Sequence, residues 1–94
     1  MIAENYQFEH LRKVEAALRS HPNAGREITR LAAHVEGGFL TEKIVNAQKL
    51  AVGYVADVYQ GNPHQFIEDY STGKITWEDL IKYRGRKELN LALL

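Results

Sequence analysis

TEKIVNAQKLAVGYVADVYQ, residues 41–60, is the stretch whose reading decides the fold. Ile44, Val45, Leu50, Val52, Tyr54, Val55, Val58 and Tyr59 leave only a thin polar seam through Glu42, Asn46, Lys49, Gly53 and Gln60. Read as a helix, this run spans about 30 Å at the usual rise per residue. A helix apolar over most of its circumference must be covered on most sides. Thr41 is placed to cap it, and Leu40 with Val45 has the spacing of a hydrophobic staple. Gly53 has no capping role so far inside. With Ala47, Ala51 and Ala56 nearby, it suits the close approach of another helix. Asp57, flanked by Ala56 and Val58, either widens the polar seam or is buried against a tyrosine hydroxyl or an arginine.

Working towards the N-terminus, Gly37-Gly38 is expected to stop a second helix that begins at an Asn23 cap and carries Ile28, Leu31, Ala32 and Val35 on one face. Before it, Phe8, Leu11, Val14 and Leu18 recur at three- and four-residue steps, which predicts one amphipathic helix over 4–20 with a single buried stripe. His21-Pro22-Asn23 ends that helix, because the residue before a proline avoids the helical region.

Towards the C-terminus, Gly61 fits a helix end and Asn62-Pro63-His64-Gln65 a helix start, with proline where no amide donor is needed. Phe66, Ile67 and Tyr70 are the apolar residues of this short fourth helix. The glycine-lysine pair in STGKITWEDL, residues 71–80, is not a phosphate loop. Glu68 stands where the first glycine belongs, and Ile75 where serine or threonine must follow the lysine. Thr76-Trp77-Glu78-Asp79 instead has the capping-box pattern, so STGK reads as the turn before a fifth helix carrying Trp77, Leu80, Ile81 and Tyr83. Gly85 is a candidate end for that helix, although RKELNLALL reads as a continuation of it.

The fold expected is therefore all-α: one domain over residues 1–94, a bundle of about five helices around a long, mostly apolar third helix. Ninety-four residues leave no room for two independent cores. A 45% hydrophobic and 26% charged composition is that of a globular chain rather than a disordered one. Twelve basic and twelve acidic side chains cancel, six of each in either half, which weighs against phosphate binding as the main task. No window approaches eighteen uninterrupted apolar residues, and MIAENYQFEH lacks the apolar core of a secretory signal. No membrane contact and a cytoplasmic location are the expectations.

Signals of chemistry are sparse. With no cysteine, thiolate catalysis and cysteine-zinc sites are excluded. His10, His21, His34 and His64 have no metal-ligand spacing, so neither metal nor cofactor is expected. His34-Val35-Glu36-Gly37-Gly38 resembles the H-x-x-K-G stretch of histidine phosphotransfer domains at its second glycine, but Gly37 stands in place of the lysine. No G-x-S-x-G elbow occurs, and Ser20 and Ser71 both lie beside turns. The acidic pairs Glu68-Asp69 and Glu78-Asp79 point about 100° apart on a helix and are explained by solvation or capping. No catalytic function is expected.

The reading that follows is a non-catalytic protein–protein interaction module, a small regulatory or inhibitory protein that binds a partner protein and pairs with a second copy of itself. Lys82, Tyr83, Arg84, Arg86 and Lys87 form its expected partner-binding cluster. Leu50, Tyr54, Val58, Leu89, Leu91 and Leu93 form its expected self-association surface, because a small bundle that cannot cover its apolar residues uses them against another chain. The alternative is a helix-turn-helix-like DNA-binding regulator built from the second helix, the GGFL turn and the third helix, with Gly38, Phe39 and Ile44 at loosely suitable places, Lys43, Asn46 and Lys49 facing a groove, and the same C-terminal cations on phosphates.

Overall fold

The third helix forms as its composition requires, and four others surround it. The computed structural model describes the backbone of residues 2–93 and the side chains of residues 9–89. Its elements are α1 (Ile2–Arg19), α2 (Ala24–Ala32), α3 (Leu40–Val58), α4 (Pro63–Ser71) and α5 (Trp77–Leu93). No strand occurs among the described residues, and the all-α bundle is as expected. α3 lies at the centre against α1, α2 and α5, while α4 closes the end formed by α1 and α2.

The cover of α3 differs from expectation. Ala47, Ala51 and Val55 are fully enclosed, and Leu50, Val52 and Tyr54 are buried as well, all by this chain's own helices. The third helix is therefore not left bare along its middle. The reason lies in its small residues: Ala47 and Ala51 let neighbouring helices come close, so less circumference remains to be covered. Its exposed apolar side chains are Leu40 and Val45 in the first two turns and Val58 at the end.

Leu18, Leu31, Val55, Phe66, Ile67 and Leu80 are the largest fully buried side chains, and they draw on all five helices. Two charged residues enter this interior. Glu27 follows Ala24 by three residues and precedes Leu31 by four, so its spacing puts it on the buried stripe of α2. Arg30 answers it with an ion pair of 2.6 Å and lies over the Tyr70 ring at 5.4 Å. Asp69 accepts from Tyr59 Oη at 2.7 Å and Gln65 Nε2 at 2.8 Å. Those two bonds hold its carboxyl below the ordinary aspartate value, whereas burial and the Asp69 bond push the Tyr59 hydroxyl well up.

Local signals were followed closely at some boundaries. Gln60 and Gly61 take positive φ values of 53° and 84°, and the Gly61 N–H donates to Val55 O at 2.9 Å, which closes α3. Asn62 Oδ1 accepts from the Gln65 N–H, with Pro63 at the first position of α4. The Thr76 N–H donates to Asp79 Oδ2 at 2.8 Å before α5, and Gly73 has φ of 81° in the turn read from STGK.

Elsewhere the boundaries moved. α3 begins at Leu40 on an extended Phe39, so Thr41 lies in its first turn rather than at the cap. Leu40 and Val45 are both open and form no staple. The side chain of Asn23 makes no capping bond. α2 stops at Ala32, before the glycines, because His34 and Val35 donate back three residues and tighten the chain into turns. α5 continues through Gly85 to Leu93.

Candidate protein-interaction face

Arg12, Glu15 and Arg19 recur at three- and four-residue steps, so α1 presents them on one side, next to Leu11. α3 runs alongside and presents Val45, Gln48, Lys49, Val52 and Gly53. Together with Lys87 of α5 these residues line a groove of about 530 Å³. Val52 is buried beneath it, while Leu11 and Val45 are 40% and 46% exposed. Glu15 is the one carboxylate in the wall. It accepts from Gln48 Nε2 at 3.2 Å and pairs with Arg19 at 3.5 Å.

Lys49, Gly53 and Lys87 also border a second trough of about 410 Å³ on the α5 side, whose far wall is Tyr83, Arg84 and Glu88. Gly53 faces α5 here, but the approach does not require a glycine, because an added Cβ would make only an ordinary contact. A Cβ there would lie 3.6 Å from Tyr83 Oη, and that hydroxyl reaches Gly53 O at 3.1 Å. The same hydroxyl bonds the Asp57 carboxylate, and Lys87 Nζ lies 3.2 Å from Asp57 Oδ2. Asp57 thus combines its two readings: it is half-exposed on the seam and still held by a tyrosine hydroxyl. Partial burial alone would raise its pKa, but the bonds from Tyr83 and Lys87 outweigh that and hold it below the ordinary value. Tyr83 is pushed up by burial and by its bond to Asp57. Burial acts against the Lys87 charge, and the bonds to Asp57 and Tyr83 more than restore it, leaving its pKa raised.

The expected partner-binding cluster does not form one patch. Four-residue spacing splits it around α5. Tyr83 and Lys87 turn towards α3. Arg84 pairs with Glu88 at 3.3 Å. Lys82 and Arg86 share an exposed side, without an ion pair among the described residues.

The expected self-association surface is divided too. Leu50 and Tyr54 belong to the chain's own core, at 6% and 7% exposure, and offer no free surface. Val58 and Leu89 are exposed. The side chains of Leu91 and Leu93 lie outside the described residues. Sequence reasoning missed the α1 wall, because Leu11 falls on the same periodic stripe as the buried Val14 and Leu18. The regular charges at 12, 15 and 19 were the available signal.

The remaining motifs are apart from this face. His34 lies in the turn after α2, not on a helix as the phosphotransfer pattern requires, and its ring stacks on Trp77 at 4.5 Å. His21 and His64 touch, with ring centroids 4.7 Å apart. No group of three or more metal-ligating side chains occurs among the described residues. Seven residues, 33–39, separate α2 from α3, longer than the three or four of a helix-turn-helix. Among the described residues, no helix is long and apolar enough to cross a membrane. The chain matches no family model, no curated protein and no solved structure.

Proposed function

We propose that this chain is a non-catalytic interaction module, a small regulatory protein that acts by binding a partner protein on the face built from α1, α3 and α5. The observation that carries the reading is the open pair Leu11 and Val45 over buried Val52, set among charged side chains. Apolar side chains grouped in a groove with a polar rim are what a protein partner covers. The burial of Leu50 and Tyr54 favours a different protein over a second copy, since the strongest apolar residues expected to join two copies are already enclosed. The groups with shifted proton affinity also support binding over catalysis. Asp57 and Lys87 are held by each other and by Tyr83, and Asp69 by Tyr59 and Gln65, so each serves to fasten helices together.

The test is capture from a lysate of the native host by the immobilised chain, with bound material identified by mass spectrometry. A protein retained by the native chain and lost with Val45→Asp is the expected result. Val45 is half-exposed, so the substitution leaves the core intact. Retention that is indifferent to Val45→Asp overturns the reading. Retained nucleic acid that is lost with Lys82→Glu and Arg86→Glu together would establish the DNA-binding alternative instead.

A further inference from the structure

We infer that residues 84–89, the outer turns of α5, form a strap that opens from the bundle as one unit while Tyr83 and the turns before it stay packed, with Lys87 on Asp57 as its latch. The inference stands apart from what the interaction face binds.

Packing comes first. α5 meets the core through Trp77, Leu80, Ile81 and Tyr83. Tyr83 is the last of its described residues with a partly buried side chain, and each one from Arg84 to Leu89 is exposed. Turns of helix without buried apolar contacts are held by little beyond their own peptide hydrogen bonds, and so short a stretch is marginal on that footing. Opening them leaves the core intact and takes far less free energy than unfolding the whole.

The place of separation comes second. Gly85 stands two residues beyond Tyr83, and no atom lies within 4 Å of a Cβ built on it. No neighbouring element therefore calls for glycine here. Its effect is on the open state, whose backbone freedom it enlarges, and that weakens the helix where packing ends.

The latch comes third. Lys87 Nζ lies 3.2 Å from Asp57 Oδ2 and 5.8 Å from the centre of the Tyr83 ring. Asp57 belongs to α3 and Tyr83 to the packed half of α5, so one side chain ties the strap to both. Lys87 and Asp57 are each about half-exposed, which makes the pair weak and open to screening by salt. A tie of that strength biases the strap towards closure without locking it.

Opening changes the surface on offer. Arg84, Lys87 and Glu88 stand across the trough of about 410 Å³ from Asn46, Lys49 and Leu50, and Lys87 also lines the α1–α3 groove. Both clefts lose that wall when the strap leaves, and Leu50, 6% exposed in the closed form, meets solvent.

Amide hydrogen exchange of the full chain, read residue by residue by NMR and corrected for intrinsic rates, tests this. Protection at 87, 88 and 89 should be uniform and at least about a hundredfold lower than at Val55. Urea below the unfolding transition should hasten exchange at Val55 and barely move it at 87–89, because opening the strap exposes little surface. Lys87→Gln should speed exchange at 88 and 89 by about two- to fivefold, and salt raised from about 50 to about 500 mM should act in the same direction. Gly85→Ala should slow it by about two- to fivefold. Lys82→Gln, the same charge change in the packed half, should leave these rates as they are. The chain has no cysteine, so Leu50→Cys supplies a single thiol. Its labelling by a maleimide should quicken with Lys87→Gln and slow with Gly85→Ala. Circular dichroism of each variant verifies that the fold is kept.

Protection at 87–89 equal to that at Val55 overturns the inference, because the outer turns then open only with the whole molecule. Protection that falls steadily from 87 to 89 overturns it as well. So does exchange indifferent to Lys87→Gln and Gly85→Ala, since the helix end then frays with no latch to hold it.

Discussion

The two halves of α5 belong to one helix and live in different surroundings. In the first half, Leu80 is completely enclosed, and Trp77, Ile81 and Tyr83 pack partly against the core. In the second, every described residue from Arg84 to Leu89 is exposed. The first half is held by burial and by the Tyr83 hydroxyl. The second is held by the peptide hydrogen bonds of the helix, the Arg84–Glu88 pair and the tether from Lys87 to Asp57. Helical geometry is thus no guide to where stability resides: tertiary packing supplies most of it, and propensity little.

The widest separation between the halves should come from two leucines. Leu80→Ala is expected to destabilise the fold by about 2–5 kcal/mol, as a fully buried leucine does, measured by urea unfolding. Leu89→Ala, out in solvent, should change stability by less than about 0.5 kcal/mol. Equal losses would mean that the outer half is packed after all.

At the junction, Tyr83→Phe removes the hydroxyl that joins Gly53 O and Asp57 and should cost about 1 kcal/mol. Gly85→Ala tests the outer half from the other direction. No atom lies within 4 Å of a Cβ placed there, so the variant should gain about 0.5–1 kcal/mol and a little helical ellipticity.

The smallest expected effect is acid dependence at the tether. The folded Asp57 pKa is depressed, so its contribution is present above the ordinary aspartate value of 3.8 and is lost as pH falls through the lower folded value. Asp57→Asn should therefore flatten that part of the stability–pH curve and leave neutral-pH stability little changed, because the group is half-exposed. The buried Asp69 should continue to give acid sensitivity in that variant, since its own pKa is depressed by Tyr59 and Gln65.

What could be read from residues alone divides along the same line between local and long-range physics. The Asn62-Pro63 start, the Thr76 to Asp79 cap and the Gly61 stop were legible because each depends on side chains within a few positions. The start of α3 was not, since Phe39 takes the cap position through backbone shape and no side-chain bond. The cover of α3 was illegible for a deeper reason: an apolar stripe announces that something must lie on it and never which element. Leu50 and Tyr54 looked available for another chain only because α2 and α5 could not be placed against them. The groove was half legible, in the spacing of Arg12, Glu15 and Arg19. Leu11 escaped notice because periodicity cannot tell the rim of a helix interface from its centre. Glu27 had the spacing of a core residue, and its identity as a glutamate concealed that.

One further consequence lies in the stacked rings of His34 and Trp77. Trp77 is the only tryptophan of the chain. Its indole emission therefore observes a single place, where the turn after α2 meets the start of α5, and separation of the stacked rings would change it. The protein carries its own optical gauge of whether that corner is closed, readable without any label.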